Sequence, residues 1–567
     1  MNTITSKRWL IPDPISPEID AALADYPPTI RQVLHNRGCQ TAEEAEAYLA
    51  GKVVEGDPFQ LTDMAAAVER ILYALDRGEA IAIYGDYDVD GVTATTLLVE
   101  VLREMGGQAE AYIPNRFDEG YGLNNDALDE LKARGFGLVI TVDCGIRSPQ
   151  EAGHARDIGL EMIITDHHHP HTDIPTAVAV ICQRKPGETY PEVNLAGVGL
   201  AYKLAQGLVS RRPLASGRTA TDWLDLVALG TVADLVPLTG ENRALVRGGL
   251  RLLRQGTRQG VLSLAMAAGL TITKMTASDI GFSLGPRLNA AGRLESALAA
   301  YDLLIARDVE VAGLLAQQLD DKNRKRQQMT VEMQTKAAEL AAQEESDYLI
   351  FAVHPEFNSG VVGLAAARLV DQYYRPAVVG QVGEEFTRAS CRSIPEFHIT
   401  DALDECADLL VRHGGHAMAA GFTVSNENLP VLQARLRDIA RRKLSEVELR
   451  PALRADVVIP LSELHPRLLS RLDQLQPTGL GNPDAVFVSR NLRVRYFKAV
   501  GEEGRHLRMV VTDGKIDFNA IAFRQGHWTA QMPERVDLLY SFERHTYQGN
   551  EELQLNVRDI KPAETVV

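Results

Sequence analysis

The sequence predicts an α/β protein: a parallel-sheet domain joined by a long helix to a second α/β domain and followed by a small β-barrel. Three patterns carry that expectation. Between about 56 and 240, amphipathic helical stretches alternate with β-rich runs at Ala80–Tyr84, Leu138–Val142, Met162–Thr165 and Ala177–Ile181. Strands separated by helices form βαβ units, and such crossovers make the strands parallel. Residues 300–345 are rich in Ala, Leu, Gln, Lys and Glu, with no Pro and the single glycine Gly313, which predicts one long helix. Beyond about 450 the chain turns to short alternating runs, Leu492–Phe497, Leu507–Val511 and Leu553–Val557, as a small barrel or sandwich requires.

In chain order, residues 1–55 read as a lead segment of short helices broken by Pro12, Pro14, Pro27 and Pro28. The parallel-sheet domain is expected over 56–300 and the connecting helix over 301–346. The second α/β domain is expected over 347–446, with strands at Tyr348–Val353, Ala377–Val379 and Thr387–Ser390, and the barrel over 447–567. A chain of 567 residues is too long for one core, which agrees with this division. No apolar stretch approaches the roughly 20 residues that cross a bilayer. The first ten residues have no apolar signal region, and the five cysteines are scattered without a CxxC pair. A cytoplasmic protein without membrane contact is expected. The net charge of −17 counts against a polyanionic partner. That objection weakens where carboxylates hold cations and basic residues gather locally.

The run Gly85-Asp86-Tyr87-Asp88-Val89-Asp90-Gly91 follows directly on the first strand. Three carboxylates so close repel one another unless cations neutralise them. A calcium hand would need a carboxylate at the twelfth position from Asp86, which is Leu97, so that reading fails. An isolated D-x-D-x-D is as readily a solvated acidic turn. Here, however, Val142-Asp143-Cys144-Gly145 and Thr165-Asp166-His167-His168-His169 close later strands, and Gly230-Thr231-Val232-Ala233-Asp234 closes an apolar segment. One Asp after a strand is usually a helix cap. Four Asp/His clusters in one α/β unit, where such sheets bind ligands, are hard to explain by capping. Mixed carboxylate and imidazole donors suit Mn²⁺ or Mg²⁺.

These four clusters, in this order, resemble the motifs of the DHH phosphoesterase superfamily, and within it the branch of bacterial single-strand-specific exonucleases. The resemblance covers almost the whole chain. It implies a DHH domain, a second domain like the DHH-associated (DHHA1) one, and a C-terminal OB-fold. It further implies two Mn²⁺ or Mg²⁺ ions. Asp88 and Asp90 would be ligands with Asp86 beside them, Asp143 would bridge the ions, and His167 and Asp234 would complete the set. Catalysis would rest on Asp143, on His168 facing the phosphate, and on Asp166 orienting the imidazoles. Tyr84 stands where many members carry a histidine ligand.

Phosphate groups would be held elsewhere. Gly285-Pro286-Arg287-Leu288-Asn289-Ala290-Ala291-Gly292-Arg293 resembles a motif of that branch, with Arg287 offering a bidentate fork and Asn289 beside it. For Arg293 an Arg–carboxylate bridge is the competing structural role. Ser390-Cys391-Arg392-Ser393 and Gly414-Gly415-His416 resemble the DHHA1 hallmarks, so Ser390, Arg392, Gly415 and His416 are expected at substrate, as is Arg116. Phe357-Asn358 replaces the usual Trp-His, and Thr478 replaces a usual Phe in Gln476-Pro477-Thr478-Gly479-Leu480-Gly481-Asn482-Pro483. In the barrel, Arg490, Arg493, Arg495, Lys498, Arg505 and Arg508 surround Tyr496 and Phe497, a pattern that suits single-strand binding or simply a charged outer face.

The resemblance implies a 5′→3′ single-stranded-DNA exonuclease of DNA repair and recombination that releases 5′-mononucleotides. A monomer working beside a single-strand-binding protein and a helicase is expected. The alternatives are another DHH phosphodiesterase, acting on short oligonucleotides, RNA or cyclic dinucleotides, and a non-catalytic replication scaffold, which would have lost metal ligands.

Overall fold

In the computed structural model, which describes residues 7–51, 55–115, 122–342, 348–547 and 550–563, the chain forms two compact units. The larger comprises Ile11–Asp320 with Ala455–Val567; the smaller is chiefly Asp321–Arg454.

The larger unit is built on a five-stranded, all-parallel sheet in the spatial order Gln108–Tyr112, Ala80–Gly85, Leu138–Val142, Glu161–Thr165, Ala179–Ile181. Its central strands are covered on both faces, so they read as continuous apolar runs. The edge strand Gln108–Tyr112 is built largely of Gln, Ala and Glu, weak strand formers, and escaped sequence reading for that reason. The helix Val89–Glu104 is almost wholly buried between the sheet and the helices Gly197–Arg211 and Leu224–Ala233. Asp234 therefore ends a helix, whereas the other clusters end strands. A buried apolar run of this length has no periodicity to distinguish the two.

The same unit contains the barrel. Phe487–Val500, His506–Thr512, Asp517–Ala522, Asn550–Pro562 and Arg535–Tyr547 close through pairing of the first with the last. Closure removes the exposed sheet edge. The lead helices Pro17–Ala22, Pro28–Asn36 and Ala42–Ala50 pack into this barrel: Leu23, Ile30, Val33 and Leu34 share one cluster with Phe487, Leu507 and Tyr540. The lead segment and the barrel, read as separate stretches in the sequence, thus share a core.

In the smaller unit a mixed sheet runs Ile350–His354, Ala377–Val382, Phe386–Arg392, Ala419–Ser425, Leu410–His416. The last two form a hairpin around Gly414-Gly415-His416. Glycine is a poor strand former, so no strand signal is legible there. The long helix is Val309–Ala342. It begins later than expected because Leu298–Ile305 is a separate helix, and Asp308 caps the new start by accepting from Glu310 and Val311 N–H at 2.9 Å each. Among the described residues no helix is long and apolar enough to cross a membrane.

Candidate metal centre and phosphate-binding face

The acidic loop gains its shape from backbone contacts. Asp88 is the N-cap of Val89–Glu104, its Oδ1 accepting from Asp90 N–H at 2.9 Å and Gly91 N–H at 3.2 Å. That leaves Oδ2 outside the cap. Gly91 is required because a Cβ would lie 2.5 Å from the Asp86 carbonyl oxygen. Asp90, 1% exposed, accepts from Gly197 N–H at 2.6 Å and Val198 N–H at 2.8 Å, the start of the helix Gly197–Arg211. Asp143 follows its strand with φ +61°, a backbone region a non-glycine residue adopts only when its surroundings hold it there.

These carboxylates converge on one histidine. His167 Nε2 lies 3.1 Å from Asp143 Oδ1, 3.6 Å from Asp234 Oδ2 and 3.8 Å from Asp90 Oδ2. Three donor groups could hold ions: Asp86, Asp88 and Asp143; Asp90, His167 and Asp234; and Asp143, His167 and His168. Asp143 belongs to two of them, as a bridging ligand would. Asp143 Oδ1 and both ring nitrogens of His167 are buried without a hydrogen-bond partner. Buried polar atoms are seldom left so, and a divalent cation would satisfy Asp143 Oδ1 and the unprotonated ring nitrogen of His167. The donor set fits the expected ions.

Electrostatics agree. Burial, then the charge of Asp90, drives Asp143 well above the carboxylate range. Burial and Asp88 push Asp90 up to about 7; burial and Asp90 push Asp234 up to about 9. Burial, then neighbouring His168, brings His167 down to about 3, keeping it neutral and ligand-competent. Burial opposes ionisation of Asp166 and His168 as well. Their mutual contact outweighs it, lowering Asp166 and raising His168. Asp166 Oδ1 lies 2.7 Å from His168 Nδ1, and Oδ2 accepts from Ile146 N–H at 2.9 Å. Asp166 thus orients His168.

Other expected residues fall differently. Arg116 lies outside the described residues. Arg287, expected on a phosphate, donates from Nε to buried Asp320 at 2.9 Å and from Nη1 to the Ser283 carbonyl at 2.8 Å. A Gly-Pro-Arg motif offers a guanidinium without saying which anion it meets. Asn289 accepts from Val89 N–H at 3.2 Å, so its carbonyl supports the acidic loop. Sequence reading missed Arg147 and Arg184, which flank His169: Arg147 Nε donates to its carbonyl at 2.6 Å, and Arg184 Nη1 lies 2.7 Å from its Nε2. Their positions just after strand ends were the available signal.

In the smaller unit, strand register places Arg392, Ala419 and His416 in one row across three strands, with Ser390, Gly421 and Gly414 in the next row of the same face. One small residue, Ala419, thus stands between Arg392 and His416 in that row, and two glycines follow Ser390 in the next. Gly415 lies between these rows at φ +151°, where a Cβ would come within 2.4 Å of the Ala419 carbonyl oxygen. The hairpin itself therefore demands glycine there. On the barrel, Tyr496 and Phe497 are exposed beside Lys498 and Arg508, while Arg493 and Arg495 pair with Glu534 and Asp517.

Comparison with known proteins agrees with this architecture. Residues 80–231 match the DHH family N-terminal domain, 345–442 the DHHA1 domain and 455–559 the RecJ OB domain. The single-stranded-DNA-specific exonuclease RecJ of Bacillus subtilis is 36% identical, over 98% of this chain and 71% of that protein. That of Escherichia coli is 34% identical, over 95% and 96%. The chain belongs to the RecJ family. The crystal structure of RecJ in complex with Mn²⁺ from Thermus thermophilus matches 98% of this chain and 80% of its own, with TM-score 0.85 and 28% identity. The family thus accounts for the DHH, DHHA1 and OB architecture.

Proposed function

We propose that this chain is a metal-dependent exonuclease that degrades single-stranded DNA from the 5′ end and releases 5′-mononucleotides. The observation that carries the proposal is the buried Asp/His cluster with orphaned donor atoms on Asp143 and His167. Two divalent ions bound there would supply nucleophile activation and charge neutralisation for phosphodiester hydrolysis. In this reading Asp86, Asp88, Asp90, Asp143, His167 and Asp234 hold the ions. His168, fixed by Asp166, presents its other ring nitrogen to the substrate phosphate.

Ser390, Arg392 and His416 would recognise backbone phosphates, with small neighbours letting a strand approach closely. The exposed Tyr496 and Phe497 would stack on bases, which every base tolerates, so the enzyme selects single strands rather than sequences. Manganese or magnesium is the expected ion, as in the Thermus thermophilus structures solved in complex with each. An enzyme confined to single strands depends on a helicase to expose them and meets single-strand-binding protein on them. The scaffold alternative loses support, since no ligand of the expected set is missing.

The test is hydrolysis of 5′-labelled single-stranded DNA, duplex DNA and RNA by chelator-stripped protein, with and without Mn²⁺. Release of labelled mononucleotide from single-stranded DNA alone, only with Mn²⁺, is expected. Inactivity on all three, or equal attack on duplex, would contradict the proposal.

A further inference from the structure

The segment Gln476–Pro483 lies outside the metal site and off the basic strand of the barrel. Several of its contacts lead to the loop that follows Asp234 and to the helix after it. Arg243, 3% exposed in the first turn of Gly240–Leu253, donates from Nη2 to the carbonyls of Gln474, Leu475 and Gln476 at 3.2, 3.1 and 3.3 Å. Its guanidinium carbon sits 4.1 Å over the Tyr48 ring, and Tyr48 Oη donates to Asn482 at 2.6 Å. Asn482 in turn donates to the carbonyls of Leu475 and Pro477, closing the segment on itself.

The closed segment grips residues 237–239. Leu238 N–H donates to the Leu480 carbonyl at 2.7 Å. A Cβ on Gly479 would lie 2.7 Å from Leu238 Cδ1, and one on Gly481 3.1 Å from Pro237 Cβ. Fully buried Asn242 donates to the Pro237 carbonyl at 3.1 Å and to that of Asn194 at 2.6 Å, three residues before Gly197. Between this grip and Asp234 stands only a short strap. Leu235 in it has φ +61° and is 69% exposed, so its own side chain does little to hold that backbone. Such a conformation persists only where neighbours determine it.

We propose that residues 474–483, locked by Arg243, form a clasp by which the barrel's linker fixes the strap Leu235–Thr239 and so positions Asp234 in the metal centre. Arg243, Asn482 and Gly479 are positioning residues for the ion that Asp234 holds, although none of them touches it. The barrel would then serve the centre mechanically as well as holding DNA. This inference rests on the metal-binding reading of Asp234.

The test is Mn²⁺ titration of the full-length protein by calorimetry, with circular dichroism as a check of folding. Arg243→Met should keep the wild-type spectrum and bind Mn²⁺ about tenfold more weakly, the loss usual when a ligand's support is removed. In an Asp234→Asn background the same substitution should change Mn²⁺ affinity no further, because the residue it positions is already gone. A purely structural effect would persist in that background. Gly479→Ala presses on Leu238 from the other side and should weaken Mn²⁺ binding in the same way, which covers an Arg243→Met protein that fails to fold. Wild-type affinity in both variants, or an undiminished effect in Asp234→Asn, would overturn the clasp. A wild type that binds no Mn²⁺ would overturn the proposed function, and the clasp with it.

Discussion

Asp143 combines three properties rarely found together: a left-handed backbone, near-complete burial and an unsatisfied carboxylate oxygen. Each costs stability, and the proposed bridging role between two cations would account for all three. The raised carboxyls give a pH signature. Asp90, at about 7, and Asp234, at about 9, hold protons in the ion-free fold that cations must displace. Mn²⁺ affinity should therefore rise steadily from pH 6 to pH 8, with proton release measurable by calorimetry in buffers of different ionisation enthalpy. The unfolded chain sheds those protons in the ordinary carboxylate range. Without ions, stability should thus fall as pH rises through that range toward the raised values, and added Mn²⁺ should restore the melting temperature most at high pH. At this scale the Asp/His residues that the fold brings together were legible, because clustered carboxylate and imidazole groups speak of their chemistry directly. The pairing of Arg287 with Asp320 was not, because the two are distant in sequence and close only in the fold.

The helix Gly197–Arg211 shows how an element serves the centre. Its first two amides hold both oxygens of Asp90, and Gly197 leaves no room for a side chain: a Cβ would lie 2.7 Å from Asp143 Cβ. Gly197→Ala should fold, yet lose activity and Mn²⁺ affinity together, since it displaces Asp143 directly. Gly199→Ala on the same helix, with its nearest contacts at 3.3–3.4 Å to the Leu195 side chain, should be far milder. On the other unit, Arg392→Ala should weaken binding of 5′-phosphorylated single strands without altering Mn²⁺ affinity; equal DNA affinity would remove Arg392 from the substrate face. The buried parallel strands were readable from their apolar runs. The edge strand Gln108–Tyr112 and the hairpin through Gly414-Gly415-His416 were not, because one is built of weak strand formers and the other of glycines.

In the larger unit, the lead helices and the C-terminal barrel meet in one core. Arg37 pairs with Asp456 at 2.7 Å, with side chains 6% and 8% exposed, and also reaches the Pro483 carbonyl. Removing one partner of a buried pair strands the other's charge, so Arg37→Ala should destabilise the protein by about 3–5 kcal/mol, read from chemical denaturation. Sequence patterning revealed the succession of domains, but not that the lead helices complete the barrel, because packing between segments more than 400 residues apart leaves no local period. If the Asp/His cluster is a metal centre for single-strand hydrolysis, bound metal and activity must go together. The most direct measurement counts bound Mn²⁺ and the rate of single-stranded DNA degradation in the same preparations of wild type and Asp143→Ala. Two ions and rapid release of mononucleotides are predicted for wild type, with ion binding impaired and the rate down by about a hundredfold or more in the variant. A fully active Asp143→Ala protein, or a wild type equally active without any divalent cation, would contradict the account.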